Sequence, residues 1–279
     1  EGSRGPYLLD LAKESGLVVT DMVDLQPWKE WAEKVSEVCC LIEVDSHCVL
    51  PRPVFGKSMD RPFKFRKATD AEMRSRIGRN WPIVRDEVRR MPESWSPPFE
   101  PIDVRLEMAK DGGAGLLSKC DIDPTVVAIT GVTGGSSYAI EHWENWCKSG
   151  IRSYHMKRNN AALSDGVSRM SPWIHYGMIS TTRMVRDASS IGGKGAEKFL
   201  DEMLVFREHA QHHVHATDNP DDWGNIPGWA ISSWNDRNPE LSELSAIELE
   251  RGRSGDRLWD SAQTGLVRHG TMHNNVRMT

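Results

Sequence analysis

Residues 168–180, SRMSPWIHYGMIS, set a hydroxyl, a cation and a Ser-Pro step directly ahead of an aromatic-rich segment. Ser171 is an N-cap residue type, whose hydroxyl takes a free first-turn amide hydrogen, and Pro172 suits the first helical position, where no amide hydrogen is needed. Amides left open at a helix start, together with the positive end of the helix dipole, attract negative charge. With Ser168 adding a hydroxyl and Arg169 a fixed cation, the stretch can hold a phosphate. The same residues also suit a purely structural cap on a core helix carrying Trp173, Tyr176 and Ile179.

Other segments carry groups of comparable interest. Tyr154 and Arg158 stand four residues apart in IRSYHMKRNN and share a helix face. In FLDEMLVFREHAQHH, Phe199, Met203 and Phe206 read as a buried stripe, with Glu202 and Arg207 placing charge beside it. His209 shares a face with His212 or His213, a spacing that can bind zinc. A third firm ligand and a HExxH frame are missing, so no metal site is expected. GVTGGSS follows no fitting strand and GGKG lacks P-loop spacing, so neither reads as a phosphate loop.

Taken in order and spacing, the Tyr154–Arg158 segment, the SRMSP step, FLDEMLVFREHAQHH and the closing GDRLWDSAQTGLVRHGTMHNNVRM resemble the cofactor-binding helical domain of the photolyase and cryptochrome family. GLVVTDMVDLQPWKEWAEKV followed by CLIEVDSHCVLPRPVFGK resembles the class II branch, so the resemblance covers nearly the whole chain. It implies bound FAD, whose reduced anion gives an electron to a pyrimidine dimer flipped out of DNA. The implied activity is that of a deoxyribodipyrimidine photolyase, a carbon-carbon lyase with damaged DNA as its partner. A cryptochrome photoreceptor on the same fold and a cofactor-free helical binding module are the alternatives.

The resemblance also assigns residues. Tyr154 and Arg158 would lie against the cofactor, Ser168, Arg169, Met170 and Ser171 would hold its diphosphate, and Arg277 would stabilise the anionic flavin ring. Glu202 would contact the lesion base, with a helix-surface ion pair as its other reading. Asn274 matches class I enzymes where class II members carry glycine, and Met278 would offer a soft contact to the dimer. Trp259 matches the middle of three relay tryptophans, and the resemblance puts the flavin-adjacent one just past Thr279. On this reading the chain is a fragment, lacking a first strand and the far part of the FAD domain, and the sequence identifies no antenna chromophore. Phe206-Arg207 departs from the paired arginines of class II.

Composition fits this reading. The chain has 279 residues, 38% hydrophobic and 27% charged, with eleven tryptophans, an ordinary globular balance rich in indole. A formal charge of −5 argues against a nonspecific coat on nucleic acid. Locally, Lys57, Arg61, Lys64, Arg66, Lys67, Arg74, Arg76, Arg79, Arg85 and Arg89 form a basic stretch that can face phosphate or line a solvated helix. Five cysteines, an odd count, fit a reducing compartment better than a disulfide framework. No apolar run spans a bilayer and no signal peptide is visible, so a soluble, intracellular monomer is expected.

The elements that must position these groups are an α/β part followed by helices. Leu17–Thr20 and Cys40–Val44 read as strands around a helix bearing Trp28, Trp31, Ala32 and Val35, a βαβ unit. A helix with Ile77, Ile83 and Val84 reaches toward Met91, and prolines at 92, 97, 98, 101 and 124 mark a long connection. Helices are then expected over 138–148, 151–159, 172–188, 194–215, 224–235 and 256–269. The organisation expected is a partial Rossmann-like domain over 1–56, a connector over 57–130 and a helical FAD domain over 131–279.

Overall fold

The computed structural model describes residues 7–80, 94–123, 125–126, 128–236 and 244–278. The chain divides into two compact units, residues 1–45 with 80–128, and residues 46–79 with 129–279. Part of the expected connector therefore groups with the helical part of the chain.

The first unit is built on β1 (Val18–Asp21) and β2 (Leu41–Val44), which pair in parallel with Val18 opposite Leu41 and Asp21 opposite Val44. Parallel neighbours need a crossover, and the Trp28–Ser36 helix supplies it. Val35 turns inward at 3% exposure, whereas Trp28 and Trp31 remain 52% and 40% exposed and meet edge to face. A short helix at Val104–Asp111 falls where only a connection was expected. Asp103 caps it by accepting from the Leu106 amide at 3.1 Å, and Gly112 closes it at φ +68°.

The second unit is helical. Its elements include Arg52–Phe55, Pro62–Gly78, Ser136–Ser149, Tyr154–Lys157, Ser171–His175, Thr181–Ile191, Gly193–Asp201, Glu208–His215, Gly228–Asn235, Arg257–His269 and Asn274–Arg277. The Pro62–Gly78 helix carries Ile77 against the core, while Ile83, Val84, Arg85 and Arg89 lie outside the described residues. Ala139, Trp143 and Trp146 recur at helical spacing on Ser136–Ser149 and all face inward. Trp143 is fully buried, its ring centroid 5.3 Å from Phe199, and its indole nitrogen donates to Asp187 Oδ2 at 2.8 Å. Burying such an indole removes on the order of 200 Å² from water, about 5 kcal/mol at the usual coefficient.

Four local expectations are corrected here. The stretch expected as one helix from Pro172 to Ala188 is broken at Gly177, which takes φ +66°, and restarts where Ser180 Oγ accepts from the Arg183 amide at 3.3 Å. Tyr176 sits in that break, 72% exposed, and is not a core residue. Ser171 is the first helical residue and not the cap; Met170 holds the N-cap position, without a side-chain cap bond. Beyond Asp201, residues Glu202–Arg207 wind as a π-helix before Glu208–His215 continues in α form. The wider turn rotates the following residues. Phe199 and Met203 stay buried, Val205 takes the next inward place, and Phe206 is left 48% exposed.

Candidate functional site

The Tyr154–Lys157 helix ends at Arg158, and that residue organises a charged cluster. Its Nη1 lies 2.9 Å from Glu202 Oε1, and Lys198 Nζ lies 2.8 Å from the same oxygen. Lys198 precedes Glu202 by four residues across the join between the Gly193–Asp201 helix and the π-helical turn. All three side chains are at most 31% exposed. Screening by water is therefore weaker than for a surface pair, and removing one partner leaves charge in a poorly solvated place. The Arg158 guanidinium also sits 5.9 Å from the Tyr154 ring centroid. Tyr154 packs edge-on against Trp146 and Phe199, and burial pushes its phenol above the ordinary value, with Glu202 adding to the shift and Arg158 opposing it.

The end of the described chain docks on this turn. His273 Nε2 meets the Arg158 carbonyl at 3.0 Å, and Asn275 Nδ2 donates to the Asn159 carbonyl at 2.9 Å. A carbonyl only accepts, so the His273 proton is on Nε2, and Nδ1 then accepts the Asn275 amide at 3.2 Å. One tautomer serves both bonds. Asn274 Oδ1 in turn accepts from Arg277 Nη2 at 2.7 Å. Tyr154, Arg158, Glu202, Asn274 and Arg277 are thus joined through direct contacts and one short turn. His273, which performs the docking, received no role in the sequence reading. Met278 and Trp259 are 74% and 42% exposed, and Trp259 has no ring partner among the described residues.

The Ser168–Ser171 stretch lies elsewhere on the same unit. The Ser168 carbonyl meets His142 Nε2 at 2.9 Å, and the His142 ring lies over Trp173 with centroids 4.8 Å apart. Met170 is 1% exposed in the core, while Arg169 is exposed and takes φ +54°. An arginine in the left-handed region costs about 1 kcal/mol or more, and it turns the chain immediately ahead of Ser171. The Ser171–His175 helix has only five residues, so its dipole is a weaker attraction for phosphate than the sequence suggested. Between the two groups, Lys157 pairs with Asp165 at 2.7 Å and folds the intervening loop back. No hydrogen bond or ion pair among the described residues joins Ser168–Ser171 to the Arg158 cluster.

In chemical kind these residues fit a flavin nucleotide: exposed cations at Arg169 and Arg277, hydroxyls at Ser168 and Ser171, and an aromatic face at Tyr154. Two open depressions, of about 560 and 380 Å³, contain none of them. The larger includes Cys147, whose thiol is pushed up to about 12 by burial and by Asp187 and Glu144, so it offers no thiolate at neutral pH. Five cations of the basic stretch are paired among the described residues. Lys64 pairs with Asp60, Arg66 with Asp201, Arg74 with Asp70, and Arg76 and Arg79 with Glu72.

No family model matches the chain. It is 25% identical over 283 residues to the deoxyribodipyrimidine photo-lyase of Methanothermobacter thermautotrophicus, an alignment covering 97% of this chain and 58% of that protein. Among solved structures, a bacterial class III photolyase from Agrobacterium tumefaciens superposes with a TM-score of 0.62 at 17% identity, over 97% of this chain and 55% of the other. A Synechocystis sp. cryptochrome superposes with a TM-score of 0.60 at 12% identity and the same coverage.

The fold is therefore the one seen in photolyases and cryptochromes, an α/β part with a small sheet followed by helices. The relatives support the photolyase and cryptochrome family, and the structural neighbour named as class III leaves the class II branch unselected. The chain spans about half the length of the curated relatives it matches. No helix among the described residues is long and apolar enough to cross a membrane.

Proposed function

We propose that this chain is the flavin-holding part of a class II-like DNA photolyase, a soluble intracellular monomer that repairs pyrimidine dimers in light. The observation that carries the proposal is the docking of the His273–Arg277 turn on the Arg158–Asn159 carbonyls. It supports a common site for residues that lie more than a hundred positions apart in the sequence. FAD, when bound, supplies the light-driven electron.

The protein's own residues hold and bias that cofactor. Tyr154 and Arg158 would form one wall, and Ser168, Arg169, Met170 and Ser171 would hold the diphosphate through backbone and hydroxyl contacts. Arg277 would supply the cation that stabilises an anionic reduced flavin. Glu202, held by Arg158 and Lys198, would contact the lesion base by a hydrogen bond. Asn274 orients Arg277, Met278 offers an exposed soft surface to a flipped dimer, and exposed Trp259 is one step of an electron path.

Purified protein incubated with FAD and washed should release flavin on denaturation. Arg277→Ala should retain about tenfold less, the value of one charged hydrogen bond. A colourless preparation that releases no flavin overturns the proposal. Flavin retained without repair of dimer-containing DNA under blue light selects a photoreceptor instead, a reading favoured by exposed Phe206 where class II carries arginine.

A further inference from the structure

We propose a divalent-metal site in the helical unit, formed by Cys48, Glu208 and His212 and independent of the flavin reading. One donor atom from each residue lies within 4.8 Å of the others. All three side chains are buried, at 5%, 1% and 1% exposure. Cys48 comes from the segment entering the unit and the other two from one face of the Glu208–His215 helix, so the site is invisible to sequence spacing.

The surrounding bonds prepare the donors. Glu208 Oε1 accepts the Val49 amide at 2.7 Å and Oε2 accepts the Leu50 amide at 3.2 Å. These two amides fix the orientation of the carboxylate. His212 Nε2 meets the Leu50 carbonyl at 3.0 Å. That carbonyl holds the ring proton on Nε2 and makes Nδ1 the acceptor nitrogen, the outer-shell arrangement typical of metal-binding imidazoles. Phe55 and Phe65 pack on the ring at 5.5 and 5.0 Å and fix its plane. The neighbouring histidines are engaged elsewhere, His209 with the Met59 carbonyl and His213 with Ser58 Oγ, each at 2.7 Å.

A thiolate, an imidazole and a carboxylate form a borderline-soft set that suits a zinc-type ion and disfavours magnesium or calcium. Tetrahedral zinc bonds place donors about 3.5 Å apart, so the set must close by roughly 1 Å, a side-chain adjustment. Binding releases the Cys48 proton, and the thiolate with the Glu208 carboxylate balances the charge of the ion. Water completes the coordination. The ion would tie residues 48–50 to the Glu208–His215 helix.

The test uses the intact chain under reducing conditions. Cobalt(II) should give tetrahedral bands with thiolate-to-metal charge transfer at one equivalent, and zinc should displace it and raise the Tm. Cys48→Ser should abolish the charge-transfer band and weaken zinc about tenfold or more in chelator competition. His213→Asn should change neither. His212→Gln, checked for folding by circular dichroism, should lose stoichiometric uptake. Folded wild-type protein without a cobalt-thiolate band, or a band surviving Cys48→Ser, overturns the proposal.

Discussion

Gly195 is the position where a single methyl group should do most damage. A Cβ there would lie 2.1 Å from the Ile151 carbonyl oxygen and 2.4 Å from that of Arg152. Both obstacles are backbone, so neither can swing aside. The Gly193–Asp201 helix must retreat by roughly 1.4 Å to restore ordinary contact, and it carries Phe199 out of the core as it moves. Overpacking costs about 1–3 kcal/mol, and with backbone on both sides Gly195→Ala belongs at the upper end, about 3 kcal/mol. Lys198 and Glu202 ride on the same segment, so their contacts with Arg158 should loosen as well.

The control is Gly265→Ala in the Arg257–His269 helix, where nothing lies within 4 Å of an added Cβ. Helix propensity alone should stabilise that variant, by up to about 1 kcal/mol. Urea unfolding followed by circular dichroism gives both values. Gly195→Ala within about 0.5 kcal/mol of wild type, the ordinary range for an innocuous surface change, would refute the close-approach argument.

Two further outcomes follow from the charged cluster. Glu202→Gln should destabilise by about 1–2 kcal/mol, because two half-buried cations lose their shared partner; a double-mutant cycle with Arg158→Met should show coupling, and strictly additive effects would place the pair outside the cluster's energetics. Tyr154 carries the pH dependence. Its folded phenol titrates above the ordinary value of 10.0, so its stabilising contribution is complete below that pH and lost as pH rises through the raised folded value. Tyr154→Phe should remove that alkaline loss and one late tyrosinate transition in ultraviolet titration, and an unchanged profile would refute the burial argument.

Local pattern in the sequence was enough for the elements that obey a single period. The β-branched runs gave strands within a residue of Val18–Asp21 and Leu41–Val44, and the helix expected over 138–148 forms as Ser136–Ser149. Asp256 was legible as a start, and in the structure its carboxylate accepts the Leu258 and Trp259 amides. The ordered motifs also carry the family resemblance, which points to Tyr154, Arg158, Glu202, Asn274 and Arg277.

Tertiary structure decided how those residues meet. Glu208 reaches the Val49 amide across 159 positions, and His273 reaches Arg158 across 115; no periodicity reports partners at that distance. The π-helical turn at Glu202–Arg207 and the break at Gly177 likewise reversed the exposure expected of Phe206 and Tyr176. GGKG was unexplained in the sequence because the need for Gly195 is a steric limit imposed by carbonyls from another segment. Sequence fixes which faces are apolar and which groups can react, but packing alone fixes which backbone lies opposite them.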